Sequence, residues 1–286
     1  MLRWYIKSLT TSIFLLLFTA GFLNAQFIIE EAVYEIPVGF DLMPEDDDFR
    51  TSDEEAEYFL NLPEDKLKSS DMAAGEELEI ERSTYFFDGE NIAIETRTPD
   101  FGKTTTVIKS GENKFYFITW SKKMVMEVTP EALKAMQQLS PEVHEGMKPG
   151  ENSDILEDSK FQETGKTAKI RGFDCKQYIK KDQDKMTIIW ASEDKNGMTG
   201  IMTDAMDKMQ RLDPDAGENS QDTWTLLQGM IPIEVRSMQT DSDSDVPEIK
   251  IRSIMEIKKT TPGADKFTIP GTSEGFRQTS MEDYLE

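Results

Sequence analysis

The chain has 286 residues, of which 55 are Asp or Glu and 32 are Lys or Arg, giving a formal net charge of −23 at pH 7. That charge repels phosphates and anionic membrane surfaces, and no basic stripe offsets it, so nucleic-acid binding is not expected. One cysteine, Cys175, and one histidine, His144, exclude an internal disulfide and most zinc sites, and leave a core as the source of stability.

The first 25 residues read as a cleavable export signal. Arg3 and Lys7 give a positive start, and Ile13 to Leu23 is an apolar run too short for the roughly 20 residues that cross a bilayer. Cleavage is expected after Ala25, although Leu23 at position −3 fits the small-residue rule poorly. No cysteine lies near the break, so no lipid anchor is expected, and no later segment is apolar enough to span a membrane.

Residues 26–76 form an acidic N-terminal segment of strand, loop and short helix. Glu45 to Glu57 reads as a solvated loop or a frayed helix start, and Leu60, Leu62 and Leu67 suggest a short helix touching the core. From Glu77 the pattern is β. Strands are predicted at 77–87, 92–98, 104–109, 114–120 and 123–128, with Asp88-Gly89 as a hairpin signal. The turns are short, which requires antiparallel pairing. Thr129-Pro130-Glu131 has the chemistry of a helix start. Ser140 to Gly165 reads as a long acidic loop. Strands resume at Thr167–Arg171, turn at Gly172–Asp174, and continue at 175–181, 186–191, around 231–235 and around 249–257, with a helix over Thr203–Leu212. The last two strands alternate between a dry and a wet face. Residues 272–286 read as a flexible polar tail.

The sum is an α+β fold: one strongly curved antiparallel sheet, an unclosed half-barrel of about nine to eleven strands, with two or three helices over its concave face. No internal repeat is found.

The second half carries a series of short motifs: Ile170-Arg171-Gly172-Phe173-Asp174-Cys175-Lys176-Gln177-Tyr178, Ile189-Trp190-Ala191-Ser192, Gly229-Met230-Ile231-Pro232-Ile233-Glu234, and Phe267-Thr268-Ile269-Pro270-Gly271. The series resembles a family of bacterial envelope proteins known only as a domain of unknown function, itself similar to the lipoprotein-carrier (LolA-like) superfamily. The resemblance spans 77–271. It implies a half-barrel whose concave face holds acyl chains in the carriers, and a bacterial envelope location, chiefly the periplasm with the extracellular space as the alternative. It supplies no catalytic residue.

Two patterns bear on a ligand. Lys114 to Trp120 is apolar on both faces, with Phe115 and Phe117 pointing one way and Tyr116, Ile118 and Trp120 the other; Met124 and Met126 follow on the next strand. These residues either line a lipid-sized cavity or belong to a strand sandwiched between helix and loop. Met202, Met206 and Met209, with Met198 one turn earlier, form a stripe at helical spacing. It suits an adaptable apolar surface, ordinary core packing or, least of all, Cu(I). The candidate lining is therefore Phe115, Phe117, Trp120, Met124, Met126, Met202, Met206 and Met209.

Asp241, Asp243 and Asp245 imitate a calcium loop, but Val246 and Arg252 stand where an EF-hand needs Gly and Glu. Cys175 reads as a buried small hydrophobe and His144 as an exposed loop residue. No phosphate loop or nucleophile elbow is present. The expectation is a non-enzymatic exported envelope protein, monomeric, without metal or cofactor, binding a lipid or lipoprotein acyl chain. The alternative is a periplasmic interaction or structural module without a small ligand, contacting an envelope partner through its acidic loops.

Overall fold

The computed structural model describes residues 26–44, 51–88, 91–109, 112, 115–129, 161–182, 185–194, 197–200, 229–239 and 247–280. The expected export signal, the helix after Thr129, His144, the Met202, Met206 and Met209 stripe and the Asp241–Asp245 loop lie outside the described residues.

Among the described residues, twelve strands form one sheet: β1 (Phe27–Pro37), β2 (Glu79–Phe87), β3 (Ile92–Thr98), β4 (Gly102–Ile108), β5 (Phe115–Thr119), β6 (Met124–Val128), β7 (Gln162–Ile170), β8 (Phe173–Lys181), β9 (Lys185–Glu193), β10 (Met230–Gln239), β11 (Glu248–Lys259) and β12 (Arg277–Ser280). Their order is β12-β6-β5-β4-β3-β2-β1-β11-β10-β9-β8-β7, and the sheet is not closed into a barrel. All pairs are antiparallel except β12 with β6. The expected fold class stands, with one strand more than the upper figure.

Four local expectations are corrected. First, residues 27–37 are not a separate N-terminal piece, because β1 is a central strand bonded to both β2 and β11. Seven of its residues are buried, on both faces, so it lacks the wet alternation that marks a half-exposed strand. Second, the turn before β8 is Arg171-Gly172, with φ of 49° and 90°, the two-residue form with both central residues left-handed. Third, β7 begins at Gln162, inside the expected loop. It is an edge strand whose register is interrupted between Glu163 and Thr167, where Gly165 takes a φ of 77°. Its exposed charged and polar residues suit an edge. Fourth, the expected tail contributes β12, and Phe276 before it is buried against the ring of Trp120, edge to face at 5.4 Å.

Among the described residues, α1 (Ser52–Asn61) begins inside the acidic stretch and α2 (Glu64–Lys68) follows it. Thr51 caps α1, its Oγ1 accepting the Glu54 N–H at 3.2 Å. Asp53, Glu54 and Glu55 then fall in the first turn, where the helix dipole favours negative charge. Ala56, Phe59, Leu60 and Leu67 pack on Tyr34, Ile36, Ile188, Ile249 and Ile251. Full burial contributes about 1.5–3 kcal/mol for each large side chain.

A buried polar group fixes this helical corner to the sheet. Arg236 donates from Nε to Glu234 Oε1 at 2.7 Å and from Nη1 to the carbonyls of Leu60, at 3.1 Å, and Leu62. Glu234 also accepts from Ser253 Oγ at 3.2 Å. The carbonyls left unpaired at the end of α1 are thereby satisfied. Gln177 Nε2 to Asn61 Oδ1 at 2.8 Å and Arg171 Nη2 to Glu64 Oε2 at 2.9 Å complete the attachment.

Candidate functional site

Residues directly opposite one another in an antiparallel pair share a face. Following the register from β1 to β6 therefore sorts the side chains into two faces. Face two begins at Ile28 and Glu30 and runs through Phe86, Ala93, Val107, Tyr116, Ile118 and Val125. It is sealed: Phe267 and Phe276 of the C-terminal segment pack on it, with Ile269 against their cluster. Glu95 on this face is held by Lys103 at 3.0 Å and Lys266 at 3.2 Å. Burial alone would raise its pKa, but the two ammonium groups carry it below the ordinary carboxylate value.

Face one has a graded composition, legible as three rows running across the strands. The first is Phe27, Phe87, Ile92, Ile108, Phe115 and Val128; the second is Ile29, Tyr85, Ile94, Thr106, Phe117 and Met126; the third is Glu31, Ser83, Thr96, Thr104, Thr119 and Met124. The face thus passes from wholly apolar, through aromatic and mixed, to a band of hydroxyls that begins at a carboxylate. The first row is buried apart from the half-buried Phe115. Beyond Ile29 the second row is half-buried: Tyr85, Ile94, Thr106, Phe117 and Met126 all keep part of their surface in solvent. Five strand spacings of about 4.8 Å make this row about 24 Å long.

The proposed lining residues divide accordingly. Phe115, Phe117, Met124 and Met126 lie together on face one. Trp120 does not join them: it is 39% exposed, stacks on Phe276, and donates from Nε1 to Thr105 Oγ1 at 2.8 Å on face two. Met198 is fully buried in the cluster that contains Phe27, Ile29 and Phe115, and its N–H donates to Asp194 Oδ1 at 2.9 Å as residues 198–200 turn helical.

At the polar end of face one, sequence reasoning missed Glu31. It is 3% exposed, accepts a hydrogen bond from Tyr85 Oη at 3.1 Å and lies 3.5 Å from Arg252 Nε. Burial raises its pKa, against the lowering effects of Arg252 and the Tyr85 hydroxyl. Burial likewise raises the Tyr85 phenol. Glu31 borders a cavity of about 150 Å³ over β10 and β11, with Arg252, Lys250, Val235, Ile233 and Ile254 among its walls. Ile233 and Ile254 belong also to the cluster of Phe27 and Ile29, so cavity and apolar rows adjoin. The sequence signal for this site is a pair of acids, Glu30-Glu31, inside a strand that is apolar apart from them and Glu35.

Elsewhere, an open cleft of about 510 Å³ runs past Lys169, Asp174, Cys175, Lys176 and Glu193. Cys175 itself is buried, and burial pushes its thiol up to about 11, so it is no thiolate nucleophile at neutral pH. Among the described residues no group of three His, Cys, Asp or Glu side chains could hold a metal ion, and no helix is long and apolar enough to cross a membrane.

Residues 71–272 match the model of a family described as a domain of unknown function, DUF4412. No curated protein matches the chain. Solved structures with some likeness include PNGF-II, at 9% identity and a TM-score of 0.34 over 90% of this chain, and a DUF1329 family protein from Desulfovibrio piger, at 10% identity and a TM-score of 0.28 over 86% of this chain and 90% of that one. The chain spans 31% of the PNGF-II chain. Likenesses this distant carry no functional argument.

Proposed function

The chain belongs to the DUF4412 family, a domain of unknown function, and from that premise we propose that it is a non-enzymatic, exported envelope protein that holds an apolar or amphipathic ligand along face one of its sheet. One observation carries the reading. The two faces of β5 and β6 are both apolar, yet Ile118 and Val125 are sealed by the C-terminal segment while Phe117 and Met126 stay half-exposed in a continuous row. A row about 24 Å long exceeds half of a hydrocarbon core about 30 Å thick, which is the reach of one acyl chain. Covering the exposed part of each such side chain contributes on the order of 1 kcal/mol.

The sequence resemblance to lipoprotein carriers points to the same ligand class, and the N-terminal export signal to the same compartment. The buried first row borders this half-exposed row along one side, which makes the site a shallow trough rather than a deep pocket.

The test is native mass spectrometry of the purified protein together with uptake of a fluorescent long-chain fatty acid. Bound lipid or saturable uptake is expected, with uptake falling about tenfold or more in Phe117→Glu, since a carboxylate in an apolar contact is costly to desolvate. A clean unliganded mass with no uptake sinks the reading and leaves the alternative, a structural or interaction module that meets its partner through acidic loops.

A further inference from the structure

The polar end of face one is more specific than a trough for hydrocarbon requires. Arg252 is half-exposed, and its one ion pair among the described residues is the 3.5 Å approach of Nε to Glu31. Its terminal nitrogens make no hydrogen bond or ion pair there, whereas neighbouring Lys250 is held by Glu35 at 3.2 Å. The guanidinium fork, suited to two-point contact with a carboxylate or phosphate, therefore stands at a cavity of about 150 Å³. That volume is below the roughly 300–1,000 Å³ of a pocket for a whole ligand, but it fits a head group. The cavity also adjoins the apolar rows, through Ile233 and Ile254.

We propose that this cavity receives the anionic head of a single-chain amphiphile, with Arg252 as the contacting cation and the chain laid along the row from Ile29 to Met126. The inference rests on the apolar-ligand reading above and adds the charge of the head and the direction of the chain. Glu31 is the internal competitor for Arg252. An incoming anion displaces that weak contact, while the Tyr85 hydroxyl continues to hold the Glu31 carboxyl in place. In a chain with so large an excess of acids, a half-exposed arginine with unused donors at a cavity also offers a local attraction that the protein's overall field does not.

Titration calorimetry with hexadecanoate, hexadecanol and acetate, on the wild type and on Arg252→Gln, tests this at a pH where hexadecanoate is ionised. The wild type is expected to prefer hexadecanoate over hexadecanol by about tenfold, the scale of a charge-assisted contact. Arg252→Gln should erase that preference and leave hexadecanol binding unchanged, and Arg252→Lys should keep part of it. Glu31→Gln, which removes the competitor, should tighten hexadecanoate. If both long-chain ligands bind equally, or the preference survives Arg252→Gln, the head-group assignment is wrong while the trough stands. If neither long-chain ligand binds the wild type, the trough reading fails and the inference with it. If acetate binds as tightly as hexadecanoate, the cavity is a small-anion site and the proposal is overturned.

Discussion

Alternate residues of β2 to β6 meet two different environments. On face two, Ile118 and Val125 are covered by Phe276 and Phe267, and the carboxylate Glu95 is clamped by two lysines. On face one, Phe117 and Met126 are half-covered, and the carboxylate, Glu31, is buried against a phenol with a single distant guanidinium. On β5 and β6 both faces carry apolar side chains. What separates them is the cover: a C-terminal segment that returns across one face and leaves the middle row of the other in contact with solvent. Composition along a strand therefore says little about which of its faces is core and which is surface for a ligand.

The sharpest way to break the contrast is to remove the cover. Phe276→Ala takes away the aromatic contact to Trp120 and a buried ring, and should cost about 3–5 kcal/mol in denaturant unfolding. It should also expose Trp120 further, red-shifting its fluorescence. A loss below about 1 kcal/mol would mean that the C-terminal segment merely rests on the sheet.

A second comparison uses neighbouring residues on one strand. Ile118→Ala should cost about 2–5 kcal/mol, as core truncations do. Phe117→Ala removes a larger side chain but should cost less, about 1–2 kcal/mol, because part of that ring is already in water. Equal losses in the two variants would erase the distinction between the faces.

The smallest effects are in pH dependence, and they have opposite signs. The folded-state pKa of Glu31 is raised above its ordinary 4.5, so the native state binds more protons than the unfolded one between the two values. The stability linked to Glu31 is present below 4.5 and is lost as pH rises through the folded value. Glu31→Gln should therefore gain on the wild type across that window and hold its advantage above it. Glu95 has a lowered folded-state pKa. Its contribution is present above 4.5 and is lost as pH falls through the folded value, so Glu95→Gln should be less stable than the wild type at neutral pH and converge with it in acid. Urea unfolding of both variants between pH 3 and pH 8 measures the two slopes, and slopes of the same sign would contradict the different settings of the two carboxylates.

Much of the sheet was legible because its information is local. The meander from β2 to β6 and the strands β8 to β11 carry period-2 patterns, β-branched runs and turn residues within a few positions of each other. Within the doubly apolar run, residues 115–119 form β5, with Ile118 sealed on one face and Phe117 half-buried on the other. Other features were hidden for definable reasons. β1 is buried on both faces, and its partner β11 lies at the opposite end of the sequence, so neither alternation nor a hairpin announces it. β12 is four polar residues recruited by a parallel neighbour. The turn before β8 begins one residue ahead of the position that Gly172 suggests, because the non-glycine Arg171 supplies the other left-handed position. The graded rows of face one depend on the register of six strands at once, and Glu31 acquires meaning only when Tyr85 and Arg252 are brought to it.

The central place of β1 also bears on the order in which the molecule can assemble. This strand precedes all the others along the chain, and β2 follows soon enough to bond one of its edges. The second edge has to wait for β11, after nearly every other strand has been made. Until then it presents an apolar ribbon with a row of unmet N–H and C=O groups, the kind of template that recruits neighbouring chains. Pairings this remote in sequence form slowly, so the half-made chain should depend on a holdase, and refolding yield should drop steeply as protein concentration rises.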